Sequence, residues 1–463
     1  MRRSIGLTFR SLAPLFLLPL AACSPPVEPP PEDVMVPPSD RCVGAQCRDV
    51  TATDSDNDSG TNPMDGGGGM DVTDASTPTD TVLPPEDSGD VVPLDGSVVL
   101  GRCTGVMAAP LEIGSEPRQQ ARIVFPAQSA AGFFVGYPLQ VGGVDKVFFH
   151  RFAAAGTSIA RTDVVAGLPA GRIGGGAFTA TPSGFSSVFH SNHDGGLDIF
   201  LQRLDAMGTN MGAPIRVVTD GELSEDPRVV HTSTNEVVLW RSTMDMLGVQ
   251  RILAARVNGT TVSPAVSVGP DMTQASSFDV ATDGTRVLVA LVARNSLGQG
   301  NVFLQILDGS GAVQRSVQLT TGAFVSESVS VAVLGTDAIV AWTNRGVDGT
   351  FRLRRVNLDT GVAGPPSVIR EFGFEVSQSS IAVDRDGLVA AMRINTPMGA
   401  RIAVARVGPA LVLREGLSAI APASAGEQVR IVGRGDGTFA LTWADETPTP
   451  MNTTVKFQLV RCP

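Results

Sequence analysis

Seven large side chains recur along the chain at a nearly fixed interval. They are Tyr137, Phe189, Trp240, Leu291, Trp342, Met392 and Trp443, spaced 52, 51, 51, 51, 50 and 51 residues apart. Most end a short apolar run, as in Val237-Val238-Leu239-Trp240, Ala338-Ile339-Val340-Ala341-Trp342 and Phe439-Ala440-Leu441-Thr442-Trp443. A period of this length overrides a domain count taken from chain length, because a short unit cannot bury its apolar face alone and must stack on its neighbours. The series takes all three tryptophans and the single tyrosine of the chain, so no tryptophan or tyrosine is left free to stack on a ligand.

Aligned on these anchors, the units share one plan. A strand of small residues comes first, such as Ser330-Val331-Ala332-Val333 or Ser380-Ile381-Ala382-Val383. A tight turn follows, as at Asp384-Arg385-Asp386-Gly387, Thr282-Asp283-Gly284 and Gly435-Asp436-Gly437, and then the anchor strand. A polar loop leads to a third strand, for example Asp198–Leu204 or Asn301–Leu307, and the turn Asp308-Gly309-Ser310-Gly311 to a fourth, Ser316–Leu319. Apolar runs of strand length with 51 glycines and 32 prolines suit many short strands and turns. Four antiparallel strands per unit of about 51 residues, seven times over, predict an all-β, seven-bladed β-propeller over residues 101–463.

Ring closure is also legible. The last unit stops at its third strand, Val455–Pro463, and the missing fourth is expected from the other end of the domain, at residues 106–114. Ala109-Pro110-Leu111 there matches Ala213-Pro214-Ile215, a fourth strand in place. In this register Cys103 and Cys462 fall at the same turn, and a disulfide between them would latch the ring in an oxidising compartment. Cys42 and Cys47, five residues apart, lie close enough for a local clip of their own. A zinc site would need a second ligand pair, and none follows.

Residues before the repeats are of another kind. Arg2, Arg3 and Arg10 precede an apolar run, Leu12–Leu20, too short to cross a bilayer. Residues 24–100 hold 12 prolines, 8 glycines, 16 acids and no Phe, Trp or Tyr. So little apolar surface cannot offset the entropy of ordering, which predicts a disordered linker over residues 23–100, with a reach of about 50 Å. Asp54, Asp56 and Asp58 place carboxylates at alternate positions, as a calcium loop begins, but Ser59 stands where an EF-hand-type loop requires glycine. A solvated acidic run is the ordinary meaning, so no cofactor is expected and calcium at these aspartates is the alternative. The net charge of −11 belongs to these terminal segments. The propeller region carries 30 bases and 30 acids, and without a basic footprint nucleic acid is set aside.

Two resemblances add to this reading. Leu20-Ala21-Ala22-Cys23 resembles the bacterial lipobox, which implies a signal peptide over residues 1–22 and lipidation of Cys23. Ser24 follows, where an aspartate would imply retention at the inner membrane, so the resemblance implies the outer membrane. Trp342-Thr343-Asn344-Arg345, Asp198-Ile199-Phe200 and Arg203-Leu204-Asp205-Ala206-Met207-Gly208 resemble the repeats of bacterial envelope lipoproteins carrying a propeller. That likeness covers residues 101–463 and specifies architecture, since propellers host many unrelated activities.

Loops joining strand four to one, and two to three, share one face of a propeller. About 14 residues before each anchor, near the start of strand one, stand Gly175, Asp226, Ser277, Ser328 and Ser379. Of these, Asp226, Ser277, Ser328 and Ser379 are candidate ligand-binding residues at a channel mouth, although such residues more commonly cap turns. His190, His193, Asp194 and Asp198 suggest a metal, but His231 ends a first strand at the opposite face, ~17 Å away, and a metal needs convergent ligands. A nucleophile elbow is absent from the sequence. The expected function is a non-enzymatic, monomeric, lipid-anchored module that binds a protein or polysaccharide partner. The alternative is a polymer hydrolase or lyase using loop carboxylates such as Glu225-Asp226 or Asp445-Glu446.

Overall fold

The computed structural model describes residues 103–462, apart from 108, 117–124, 130–131, 170, 194–195, 219–222, 245–248, 271–273, 296–298, 322–324, 346–348, 370–374, 386, 415, 424–427 and 449–450. The expectations placed on the signal peptide, Cys23, Cys42, Cys47 and the aspartates of the linker lie outside the described residues.

Seven blades of four antiparallel strands form a ring. Blade 1 comprises Phe125–Ser129, Gly132–Val141, Val144–Phe152 and Ser158–Asp163; blade 2 comprises Ile173–Thr181, Gly184–Ser191, Asp198–Asp205 and Asn210–Arg216. Blade 3 holds Leu223–His231, Glu236–Met244 and Val249–Asn258, with its fourth strand split into Thr261–Val262 and Val266–Ser267. Pro264 lies at the split, where a residue without an N–H cannot join the ladder. Blade 4 is Gln274–Thr282, Val287–Arg294, Gly300–Leu307 and Val313–Gln318; blade 5 is Val325–Leu334, Asp337–Arg345, Phe351–Asn357 and Ala363–Ile369. Blade 6 is Glu375–Asp384, Gly387–Thr396, Gly399–Val407 and Ser418–Pro422.

Blade 7 is made from both ends of the domain. Arg430–Gly433, Thr438–Pro448 and Met451–Arg461 are completed by Leu111–Glu116, which pairs antiparallel with the third strand, and by Thr104–Gly105 against Val460 and Arg461. Along the closing segment, expected at residues 106–114, Val106 N–H donates to Leu459 C=O at 2.8 Å, and regular pairing resumes at Leu111, just after Pro110, which cannot donate to the ladder. Cys103 and Cys462 are joined by a disulfide at the end of the third strand.

Exposure follows position in the blade. Second strands are covered on both faces and read as unbroken apolar runs, such as Val287–Ala293, every residue of which is buried. Fourth strands face solvent at the rim, as in Val313–Gln318, and carry mixed polar residues. Seven apolar cores fill the clefts between neighbouring blades, including the cleft where blade 7 meets blade 1. Each core contains one anchor, and each anchor packs towards the blade before its own. All seven anchors are at most 2% exposed, so each contributes about 1.5–3 kcal/mol of burial.

Polar ties between first strands reinforce the clefts at the same period. The hydroxyls of Ser330 and Ser380 accept the backbone N–H of Ile381 and Ile431 in the next blade, each 51 residues on, at 3.2 and 3.3 Å. Asp279 accepts from Val331 N–H at 3.2 Å in the same sense. Small polar residues in the first strands thus have a structural use, since a buried N–H without a partner would be costly.

Candidate functional site

The first strands of blades 2 to 6 share an irregularity near their starts. In each, the pairing with the second strand shifts, between Gly175 and Ala177, Glu225 and Arg228, Ala275 and Ser277, Ser326 and Val329, and Val376 and Gln378. These are β-bulges, which interrupt the ladder and re-aim side chains. Asp226 takes φ 50° and Gly175 and Gly176 take φ 84° and 117° to accommodate them. A Cβ on Gly175 would meet Pro227 of blade 3 at 3.0 Å, so glycine here serves both the backbone angle and the close approach of the next blade.

The bulges surround a central cavity of about 770 Å³ at the end of the ring where the first strands begin, within the size range of small-molecule sites. All four candidate residues line it, with Gly175. Their side chains are employed differently. Asp226 pairs with Arg241 at 2.6 Å, and Glu225 reaches the same guanidinium at 3.4 Å. The Ser328 hydroxyl donates to Ser379 C=O at 3.2 Å and accepts from Ser379 N–H at 3.3 Å, so it ties blade 5 to blade 6. Ser277 is half-buried on the wall. Ser379 is 2% exposed, and its Oγ and that of Ser276 are buried with no hydrogen-bond partner.

Arginines supply most of the charge in the lining. Arg172, Arg228, Arg241, Arg294 and Arg430 face the cavity, against Glu225 and Asp226. Arg430 is one further 51-residue step beyond Ser379, so continuing the series would have found it. Its guanidinium pairs with Asp279 at 3.3 Å, which links the first strands of blades 7 and 4 across the ring. Arg228 donates to the carbonyls of Asp226 and Pro227 at 3.1 Å each and lies over the Phe278 ring, 5.0 Å from its centroid. Burial, with the charge of Arg430 nearby, pulls the Arg228 guanidinium down to about 10, and it remains protonated at neutral pH. Arg241 and Arg294 also recur, since Arg393 stands like Arg241 one residue after its anchor and Arg345 stands like Arg294 three residues after, whereas Arg172 and Arg228 have no such counterpart.

Of the four histidines only His190 lines the cavity. Burial lowers it to about 4, the carboxylates of Asp226 and Asp145 opposing and Arg172 and Arg241 assisting, so the ring is neutral at pH 7. Its Nδ1 is buried without a hydrogen-bond partner. His193 bonds Ser191 Oγ at 2.8 Å. His231 pairs across the first hairpin with Glu236, at the far end of its strand. His150 sits between Tyr137 Oη and Ser158 Oγ at 3.4 and 2.7 Å in blade 1.

The acids whose titration is displaced stand outside the cavity and are held low. Turn amides do this at Asp205, and turn or side-chain hydrogen bonds do so against the opposing push of burial at Asp283, Asp308 and Asp436. The aspartates of the sequence turns therefore order hairpins. Phe278, the one Phe, Tyr or Trp among the described residues of the cavity wall, is 4% exposed and lies against Arg228. The site as built offers guanidinium charge and small hydroxyls in place of a stacking platform.

No protein-family model and no curated protein sequence matches the chain. Among solved structures, a protein of unknown function from Dyadobacter fermentans is similar at 10% identity and TM-score 0.47, covering 77% of this chain and 100% of that one. A puromycin hydrolase is similar at 15% identity and TM-score 0.46, covering 73% of this chain; the chain spans about half, 53%, of that protein. The Dos1 propeller is similar at 8% identity and TM-score 0.43, with 75% and 81% covered. These are likenesses of shape, and the seven-bladed β-propeller itself rests on the strand pairing of this chain.

Proposed function

We propose that this chain is a lipoprotein tethered to the outer membrane through Cys23, whose β-propeller is a binding module with its ligand site in the central cavity. The observation that carries the binding role is the convergence of five bulged first strands on one polar cavity of about 770 Å³. Bulges cost ladder hydrogen bonds, and repeating that cost around one cavity is what a built site requires. The lipobox-like Leu20-Ala21-Ala22-Cys23 and the acidic, proline-rich linker after it support a monomeric domain held clear of a lipid surface.

Both halves are testable. Ser277→Trp places a bulky ring in the cavity from a half-buried wall position. Compounds from a panel of peptides, oligosaccharides and small metabolites that raise the melting temperature of the parent protein should fail to do so in this variant. Stabilisation that survives Ser277→Trp would place binding elsewhere. For the anchor, Cys23→Ser should move the protein from the membrane fraction to the soluble one, and a variant that still sediments with membranes would refute the tether.

A further inference from the structure

Resting on the reading of the cavity as a ligand site, the geometry points to a small multivalent oxyanion, bearing carboxylate or phosphate groups, as the ligand, held at the mouth by Arg172 and Arg294.

The charge balance is the starting observation. The propeller region as a whole is neutral, with 30 bases and 30 acids, yet five arginines line this one cavity. Three are matched: Arg241 by Glu225 and Asp226, Arg430 by Asp279, and Arg228 by backbone carbonyls and a ring face in the field of those same carboxylates. Three guanidiniums and three carboxylates leave no surplus, and the next carboxylate, Asp145, is engaged by Ile173 N–H at 3.2 Å and Gln140 Nε2 at 2.9 Å. Arg172 and Arg294 are additional, and among the described residues neither has a carboxylate partner. They come from the start of the first strand of blade 2 and the end of the second strand of blade 4. Arg241 lies between them on blade 3, so the unmatched charge flanks one sector of the mouth.

Unused hydrogen-bonding capacity lies in the same walls. Arg294 Nε, Arg241 Nε, Ser276 Oγ, Ser379 Oγ and His190 Nδ1 are all buried without partners. Buried polar groups are ordinarily satisfied, and one polar ligand in the cavity would satisfy several of these at once. Guanidinium groups bind carboxylates and phosphates through paired N–H bonds, and a concave site with an excess of one charge concentrates ions of the opposite sign. A neutral sugar would ask for an exposed aromatic face, and Phe278 is covered by Arg228.

Isothermal titration of the full chain in detergent micelles at low ionic strength tests this, with citrate and inorganic phosphate as separate probes. At least one should bind. Affinity should fall about tenfold in Arg294→Gln and in Arg172→Gln, as expected for loss of a charged hydrogen-bond donor, and should fall further as chloride is added. Arg256→Gln, at an exposed position outside the lining, should bind as the parent does. Binding of citrate alone assigns a carboxylate ligand, and of phosphate alone a phosphorylated one. Equal affinity in parent and both cavity variants overturns the assignment. If neither probe binds while a neutral compound still stabilises the parent but not Ser277→Trp, the oxyanion is refuted and the cavity's binding role stands; if nothing binds, both fall.

Discussion

Trp342 and Trp443 occupy equivalent places in blades 5 and 7, yet their indole nitrogens are treated differently. Trp443 Nε1 donates to Asp445 Oδ1 at 3.1 Å, whereas Trp342 Nε1, like that of Trp240, is buried with no partner. Leu291 and Met392 fill the same place in blades 4 and 6 at 0% exposure. The position therefore asks for bulk, and the indole N–H is incidental or even unfavourable where it finds no acceptor. Trp342→Phe and Trp443→Phe remove the same volume, but only the second loses a hydrogen bond. By urea unfolding, Trp443→Phe should be the more destabilising by about 1 kcal/mol, and equal losses would show that the Asp445 contact contributes nothing. The anchors were legible in the sequence because a repeated volume leaves a repeated letter class. The cavity arginines were legible only in part, because a recurring offset marks a position such as Arg430 but an arginine near the start of a strand reads the same whether it faces water or a channel lined by every blade of the ring.

Strands carry the next level, and here the ties between blades matter as much as the cores. Glu236, at the start of the second strand of blade 3, receives Arg203 of blade 2 through two bonds of 3.0 and 2.9 Å and Ser186 Oγ at 2.8 Å. Burial pushes its carboxyl up, but the bonds from Arg203 and Ser186 and the charge of Arg203 outweigh that and hold it below its ordinary 4.5. A carboxylate depressed in the folded state adds stability above its unfolded pKa, and that contribution is lost as pH falls through the lowered folded value. Glu236→Gln should thus cost about 1–3 kcal/mol at pH 7, with the gap to the parent closing as pH drops below 4.5. A gap that stayed constant with pH would mean that packing, and not charge, carries the tie. Strand order was readable from turns such as Thr282-Asp283-Gly284, but the bulges were not. Anchor-to-anchor spacing counts the residues in a unit and is blind to where within it an extra residue is inserted. Asp226, Ser277, Ser328 and Ser379 were found because their offset recurs, while Ser328's bond to Ser379, which makes it a blade tie, depends on the neighbouring blade being in place.

At the level of the whole ring, closure is the one step that joins distant parts of the chain. Six blades are each made from one continuous segment, and blade 7 is finished only when Leu111–Glu116 pairs with Met451–Arg461. The cleft between blades 7 and 1 then buries Tyr137, Phe152 and Phe457, the last two rings stacked at 4.1 Å. This closure was readable because a unit lacking a strand at one end and a surplus strand at the other are complementary facts in one alignment. Without it, blades 1 and 7 would each expose an apolar face, and the arginine-lined channel would lose its wall on the side of Arg430. The Cys103–Cys462 bond fixes that closure covalently over a sequence separation of 359 residues. On chain-entropy grounds a loop of this size confers about 5–6 kcal/mol, an upper bound because unfolded chains retain some compactness. Cys462→Ser should therefore lower the melting temperature in oxidising buffer and leave the parent and variant alike once both are reduced. The closing strand should fail first in the variant, seen as early hydrogen exchange at Leu111–Glu116 while blades 3 to 5 stay protected. An unchanged melting profile in oxidising buffer would show that the seven cores alone hold the ring shut.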